Sequence, residues 1–219
     1  MILADATDQE LSFDPIPTTN RKPFVAIHGL PPARGARLIP AGTTQLTLSA
    51  DAANTSVAED NSDGRQMVID GETHRLELDL RHGIASGWEI GFNLPLLRHS
   101  GGFLDQPIEE WHDIFDLPNG NRDRLPRDRL LFLQRNPDGS GFRLDNAGGG
   151  IGDLQLSVAR ELSPGLALRG TLKLPTGDSD RLTGSGAAAA SASLHASSRQ
   201  NATLAWHASG GVMLGGDGD

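Results

Sequence analysis

The chain has 219 residues, enough for one sizeable domain, and its formal net charge of −9 argues against a nucleic-acid partner. It contains no cysteine, which excludes disulfide scaffolds, cysteine-ligated zinc and thiol catalysis. The 27 glycines and 13 prolines predict many turns and few long helices. No apolar stretch approaches the roughly 18 residues of a membrane helix, but membrane β-barrels, whose apolar and polar residues alternate, remain compatible.

The chain begins with a segment that lacks regular alternation. Prolines interrupt residues 1–40, so we predict an irregular N-terminal arm. The first five residues, Met-Ile-Leu-Ala-Asp, show no basic region followed by an apolar stretch, and no secretory signal is therefore visible. Residues 41–219 are predicted to supply β-barrel strands. Because bacterial barrels usually close with an even number of strands, we expect further strands beyond residue 219.

Alternation of apolar and polar residues begins at Thr44 and predicts antiparallel strands along most of the remaining chain. The clearest pair flanks the glycine-bounded link 83–87, which is a typical hairpin signal. Placing Arg81 opposite Glu89 would align both apolar sets and pair opposite charges, so we predict that register. About seven long strands are expected, or eight with a short one near Leu131.

Residues 99–150 are predicted to form a long, partly helical loop. Within it, residues 104–117 can form a short helix with Asp105 as its N-cap and Pro107 in the first turn. This helix could enter the lumen of a barrel as a constriction. Alternatively, it could pack on the loop rim or lie on a membrane surface.

The connections between predicted strands differ in length. Short turns are expected at 83–87, 163–165 and 198–200, whereas long connections span 99–150 and 177–185. Consecutive up-and-down strands would place all short turns at one end, as in bacterial membrane barrels. The sequence therefore predicts an all-β, up-and-down antiparallel transmembrane β-barrel in the bacterial outer membrane, in contact with the lipid bilayer. The alternation alone would also fit a soluble β-sandwich.

The barrel reading assigns the two faces of the strands to different surroundings. The polar face would line the lumen, with Arg75, Glu77, Asp79, Arg81, Glu89, Asn93, Arg169, Lys173, His195 and His207 as candidates. The apolar face would meet lipid, with Leu76, Leu78, Leu80, Trp88, Ile90, Phe92, Leu94, Leu168, Leu172, Leu204 and Trp206 as candidates. The charged row could line a selective channel or form a ladder of salt bridges in a closed interior.

Several segments together resemble a known family. They are 23–31, 91–96, 112–122, 150–154, which includes Gly-Ile-Gly-Asp, and 174–178, which reads Leu-Pro-Thr-Gly-Asp. From about Pro23 onward the chain resembles the bacterial family catalogued as domain of unknown function 3187. The last two elements are also similar to outer-membrane proteins of phenol meta-cleavage pathways. The resemblance implies an outer-membrane barrel with a transport role, and it supplies no catalytic residues.

Three functions are consistent with these patterns. The first is passage or binding of small molecules, hydrophobic ones among them, by a barrel. The second is a structural barrel with a filled lumen, and the third is a soluble β-sandwich that binds a ligand. A Ser–His pair, with His207 facing Ser191 or Ser193, could serve a hydrolase, but no Gly-x-Ser-x-Gly motif is present. We therefore expect no enzyme activity, no cofactor and no metal site.

Overall fold

The computed structural model describes residues 15–16, 18–120, 122–198 and 205–216. These residues form a single antiparallel sheet of ten strands, which confirms the all-β prediction. The strands are β1 Thr44–Asp60, β2 Gln66–Ala85, β3 Trp88–Ser100, β4 Leu131–Arg135, β5 Gly141–Leu144, β6 Gly148–Ile151, β7 Leu154–Ser163, β8 Leu166–Leu174, β9 Ala189–Ser197 and β10 His207–Gly215. The helices are α1 Pro23–Ala26, α2 Asp105–Ile114 and a 3-10 turn at Arg122–Arg124.

The long strands follow an up-and-down order. Hydrogen bonds join β1, β2, β3, β7, β8, β9 and β10 in sequence. The hairpin β4–β5 extends this sheet beside the first part of β2, and β6 pairs with the last part of β3. The sheet curls into an open half-barrel, as the prediction of an incomplete barrel requires. Short connections join β2 to β3 and β7 to β8, whereas residues 101–130 and 175–188 fill the opposite end.

The predicted register between β2 and β3 is wrong by two residues. Arg81 lies opposite Gly91, and Glu89 lies opposite Gly83. The shift arises because β2 continues to Ala85 and an irregularity near Gly83 leaves only two residues in the turn. Since side chains alternate with a period of two, this shift leaves every side chain on its predicted face. Arg81 and Glu89 still meet diagonally, with Nη1 3.6 Å from Oε2.

Residues 18–40, which we call the arm, lie across one face of the sheet. The main-chain N–H of Ala36 donates to Ser197 Oγ on β9 at 2.9 Å, and that of Ile39 donates to Glu89 Oε2 on β3 at 2.9 Å. The arm therefore spans several strands and buries the odd-numbered side chains beneath it. We call this covered side the inner face and the opposite side the outer face.

The helix α2 begins at Asp105, so the prediction that Asp105 caps it is wrong. Leu104 occupies the N-cap position without a side-chain hydrogen bond. The buried Asp105 carboxylate instead accepts hydrogen bonds from Arg122 Nη1 and from the Asp128 N–H, both at 2.8 Å. Asn54 of β1, which binds Asp105, belongs to the outer face, so of the two predicted placements of the helix the one inside the lumen does not hold. Within the described residues, no helix combines enough length and hydrophobicity to cross a bilayer.

Two other predicted elements can be compared with the structure. The expected short strand near Leu131 exists as β4, and residues 136–140 connect it to β5. The Asp138 carboxylate accepts hydrogen bonds from the hydroxyl and the main chain of Ser140, and these lower the pKa of Asp138. The predicted turn at 198–200 lies largely outside the described residues, which resume before β10 at residue 205.

Candidate functional site

The centre of the inner face is a buried ion network around Glu89. Arg169 forms an ion pair with Glu89, with Nη1 2.9 Å from Oε1, and Arg81 Nη1 lies 3.6 Å from Oε2. The arm contributes the N–H of Ile39 to the same carboxylate at 2.9 Å. Glu89 is fully buried, so these groups together replace the water that its charge would otherwise require.

A second cluster joins the arm to β2 and β3. Both terminal nitrogens of Arg34 donate hydrogen bonds to the Asp79 carboxylate, and Nη1 lies 3.1 Å from Oδ1. On the same strand Arg75 Nε donates to Glu77 Oε2 at 2.8 Å. Asn93 Nδ2 on β3 donates to Glu77 Oε1 at 2.7 Å and to Asp79 Oδ2 at 3.3 Å, which links these two carboxylates of β2. Guanidinium groups match carboxylates in this forked geometry, so the cluster fixes the arm in one position.

The third cluster explains two of the motifs that carry the family resemblance. Asp153, from Gly-Ile-Gly-Asp, accepts a hydrogen bond from Lys173 Nζ at 2.6 Å. It also accepts from the main-chain N–H of Gly177, in Leu-Pro-Thr-Gly-Asp, at 2.9 Å, and from that of Ser185 at 3.1 Å. Thr176 Oγ1 donates to the Gly152 carbonyl at 2.7 Å. The two motifs therefore form one clamp that folds the β8–β9 connection over the inner face.

The three clusters are close to neutral in sum. They contain four carboxylates and five cations: Glu77, Asp79, Glu89 and Asp153, with Arg34, Arg75, Arg81, Arg169 and Lys173. Opposite charges held this closely out of water compensate one another and resist separation. The three clusters therefore form a cross-linked interior, and they do not line the inner face with side chains of one charge sign.

Two histidines of the inner face, one on β9 and one on β10, form pairs with serines. His195 Nε2 lies 2.8 Å from Ser193 Oγ, and His207 Nδ1 lies 2.8 Å from Ser197 Oγ. The expectation that His207 faces Ser191 or Ser193 is wrong, because β10 pairs with β9 so that His207 lies opposite Ser197. The other nitrogen of His195 binds the carbonyl of Arg34 at 3.0 Å. A main-chain carbonyl thus stands where a hydrolase places a carboxylate to orient its histidine.

Little space remains between the arm and the sheet. Two cavities there have volumes of about 30 Å³ and 20 Å³, room for one or two water molecules. Larger recesses flank the arm on both sides. One, of about 310 Å³, lies beside Gln45 and Thr47 of β1, and the other, of about 240 Å³, lies beside Ser193 and Gly211 of β9 and β10.

The outer face carries the residues predicted to meet lipid. Among these candidates, Leu76, Leu80, Trp88, Ile90, Leu168, Leu172 and Trp206 are exposed, Leu78, Phe92 and Leu94 are half-buried, and Leu204 lies outside the described residues. Leu46, Leu48, Leu156, Val158 and Leu194 are exposed on neighbouring strands. These residues form one continuous surface, which we call the leucine band. On the inner face, nine of the ten lumen candidates are buried or nearly so, and His207 is half-buried.

The sequence analysis missed the inner-face contacts made from outside the strands. Arg34 lies in the proline-rich arm, where no periodicity marks its partner. Asp153 and Gln155 belong to the polar side of β7, but their partners in the arm and in the β8–β9 connection are distant in sequence. Only the shared resemblance of the 150–154 and 174–178 segments signalled that these two regions belong together.

The described residues contain no cluster of histidine, aspartate and glutamate side chains that could hold a metal ion. Comparison with known families gives one match: a family model described as "Protein of unknown function (DUF3187)" covers residues 1–219. No curated protein and no solved structure matches the chain. The family description names no location or activity, so the resemblance to outer-membrane proteins stays a prediction.

Proposed function

Because the chain belongs to the DUF3187 family, whose description assigns no activity, we propose a function from the geometry: these residues form part of the wall of a bacterial outer-membrane β-barrel. The observation that carries the proposal is the inverted distribution of polarity. Charged side chains are buried on the inner face, and the leucine band is open. Large continuous apolar surfaces are rare on soluble monomers, whereas outer-membrane barrels present such a surface to lipid.

The alternative of a soluble β-sandwich conflicts with this arrangement. A sandwich packs the apolar faces of two sheets against each other and leaves the charged faces in water. All strands of the described residues belong to one sheet, and its buried face is the ionic one. In water, the observed sheet would leave Glu89 and Arg169 dry and the leucine band wet, which is the unfavourable choice for both.

The arm determines what such a barrel can pass. Since the cavities beneath it hold one or two waters, a solute crosses beneath the arm only when the arm moves. We propose that the barrel binds or passes small molecules under the control of the arm and catalyses no reaction. The neutral, cross-linked interior equally favours a second function, a structural barrel whose lumen stays filled. Movement of the arm distinguishes these two.

Two exposed leucines on β7 test the lipid-facing surface. Leu156 is 40% exposed in the middle of the leucine band, and Leu162 is 53% exposed beside the short turn. They lie about 20 Å apart along the strand. Replacing Leu156 by Arg should cost about 2–4 kcal/mol of folding free energy in lipid vesicles, and Leu162→Arg about 0–1 kcal/mol, because the cost depends on depth in the bilayer. Urea titration of the full-length natural protein in vesicles measures both.

Equal tolerance of both arginines would contradict the membrane assignment. In a water-soluble protein the two substitutions act on similarly exposed side chains, and both should fall within about 0.5 kcal/mol of the wild type. Recovery of the natural protein from cells as a soluble monomer without detergent would contradict it independently.

A disulfide between the arm and β9 tests passage. The chain has no cysteine, so Ala36→Cys with Ser197→Cys introduces one defined bridge, at a site where Ala36 N and Ser197 Oγ are 2.9 Å apart. If the arm gates the barrel, the reduced double variant should conduct in planar bilayers and the oxidised one should not. The single variant Ser197→Cys controls for the loss of the hydroxyl. Closed membranes in both states would favour the structural barrel, and equal conductance in both would show that the arm does not gate.

A further inference from the structure

The helix α2 packs on the protein with its polar side. The Asp105 carboxylate is buried against Asn54 and Arg122. Glu109 accepts a hydrogen bond from Arg127 Nε at 2.7 Å. A soluble surface helix normally does the opposite, because it buries its apolar stripe and leaves its charges in water. The orientation of α2 therefore indicates that its other side faces something less polar than water.

The open surface of α2 carries an apolar, aromatic stripe beside its exposed polar residues. Trp111, Ile114 and Phe115 are 58%, 74% and 54% exposed, and the rings of Trp111 and Phe115 lie 4.4 Å apart. With 3.6 residues per turn, these side chains share an arc of about 100° with Leu104 and Pro107. A compact aromatic and aliphatic surface of this kind is typical of helices that lie in the plane of a membrane interface.

The start of α2 is fixed at the edge of the leucine band that is farthest from the short turns. The N–H groups of Phe103 and Leu104 donate to Glu72 on β2, that of Phe103 at 2.8 Å. The Phe103 ring stacks on the His74 ring with centroids 6.4 Å apart. Glu72, His74 and Leu76 follow one another on the outer face, and two residues span about 7 Å along a strand. The exposed Phe103 therefore continues the apolar surface that begins at Leu76.

We propose that α2 and Phe103 form an interfacial anchor, which lies on the lipid surface at the boundary between headgroups and acyl chains. The occupant is lipid because the apolar side of α2 is continuous with the leucine band, and the inference therefore rests on the proposed function. Tryptophan supports this depth, since its ring is apolar and its N–H still reaches polar headgroups. The anchor sets the level at which the sheet leaves the bilayer.

Cysteine labelling tests the anchor, since these 219 residues contain no cysteine. Ile114→Cys reports on the apolar side of α2, and Asp113→Cys, on the adjacent exposed residue, is the matched control. Leu156→Cys reports on the leucine band. Each full-length variant is labelled with an environment-sensitive fluorophore and inserted into phosphatidylcholine vesicles that carry nitroxide either near the headgroup or deep in the acyl chains. Shallow nitroxide should quench the Ile114 label at least about twofold more than the Asp113 label, as expected for an interfacial helix.

The outcomes separate the anchor from the barrel. Lipid quenching at Leu156 without quenching at Ile114 would overturn the anchor and leave the proposed function standing. An absence of lipid quenching at both sites would overturn both proposals. Equal quenching at Ile114 and Asp113 would also overturn the anchor, because a helix lying on its apolar side cannot bury both. Protection at Ile114 that disappears when the protein is diluted among vesicles would identify a second copy of the chain as the occupant instead.

Discussion

Two regions of the same strands distribute polarity in opposite ways. In the leucine band, β2 places leucines on the outer face and Glu77 and Asp79 on the inner face. The first part of β2, residues 66–72, and the β4–β5 hairpin beside it form what we call the upper region. There β2 places Ile69 on the inner face, where it packs with Phe132 and Leu182. The carboxylates of Asp70 and Glu72 there belong to the outer face, beneath residues 101–130.

If the leucine band faces lipid, as proposed, this reversal locates a change of solvent along one strand. Burial of apolar side chains stabilises a fold only where water is the alternative. In the upper region the apolar cluster lies inside, as in a soluble domain. In the leucine band, lipid would remove that driving force, and the strand hydrogen bonds and the inner ion network would hold the sheet together. The crossing point, near His74, is where α2 attaches.

The largest expected effect concerns the ion network of the band. Replacing Glu89 by Gln leaves Arg81 and Arg169 without their central charge, and breaking a buried pair on one side costs about 3–5 kcal/mol. The exposed Glu161→Gln is the control, with an expected change within about 0.5 kcal/mol. Urea unfolding in vesicles measures both. A small loss of unfolding free energy for Glu89→Gln would mean that water reaches the ion network. The inner face of the leucine band would then not be dry, and it would no longer differ from the outer face in this way.

A pair of isoleucines should sharpen the comparison with a smaller effect. Ile69 is buried in the upper region, and Ile90 lies on the leucine band. Ile69→Val should cost about 0.5–1.5 kcal/mol because the removed methylene leaves a gap in a packed core. Ile90→Val should cost much less in vesicles, because mobile acyl chains fill the same gap. Similar losses at both positions would indicate that Ile90 packs against protein, contrary to the proposed lipid contact.

The smallest expected effect is confined to the β4–β5 turn of the upper region. Hydrogen bonds from Ser140 lower the pKa of the Asp138 carboxyl below its ordinary 3.8. A depressed folded-state pKa means that the turn is stabilised above the ordinary pKa and loses this support as the pH falls through the lowered value. An NMR titration of the Ser140 amide in detergent-solubilised protein should follow that transition. Asp138→Asn should abolish it, and an unchanged titration in this variant would assign the transition to another group.

The period-two signal explains why much of the fold was predictable. Alternation of leucines with charged residues defines the two faces of β2 and β3, and even the two-residue error in register preserved those faces. The turn chemistry at Ser163-Pro164-Gly165 likewise placed the hairpin between β7 and β8. Such local patterns need no knowledge of the rest of the chain.

The contacts that complete the candidate site were not predictable in the same way. Aspartate is common at the N-cap position of helices, but Asp105 lies in the first turn instead, because it binds Arg122 and Asn54, which are distant in sequence. Arg34 pairs with Asp79 through an arm that has no periodic pattern. Alternation of apolar and polar residues also does not indicate which face of the sheet is covered. The sequence therefore left sandwich and barrel open, and the position of the arm on the ionic face was needed to distinguish them.

The path of the arm has a consequence for the order of assembly. Its residues are synthesised before those of the strands, yet Arg34 and Ala36 bind His195 and Ser197, each 161 positions later. Closing so long a loop before its strands exist carries an entropic cost. The arm is therefore expected to be fixed only after β9 has joined the sheet.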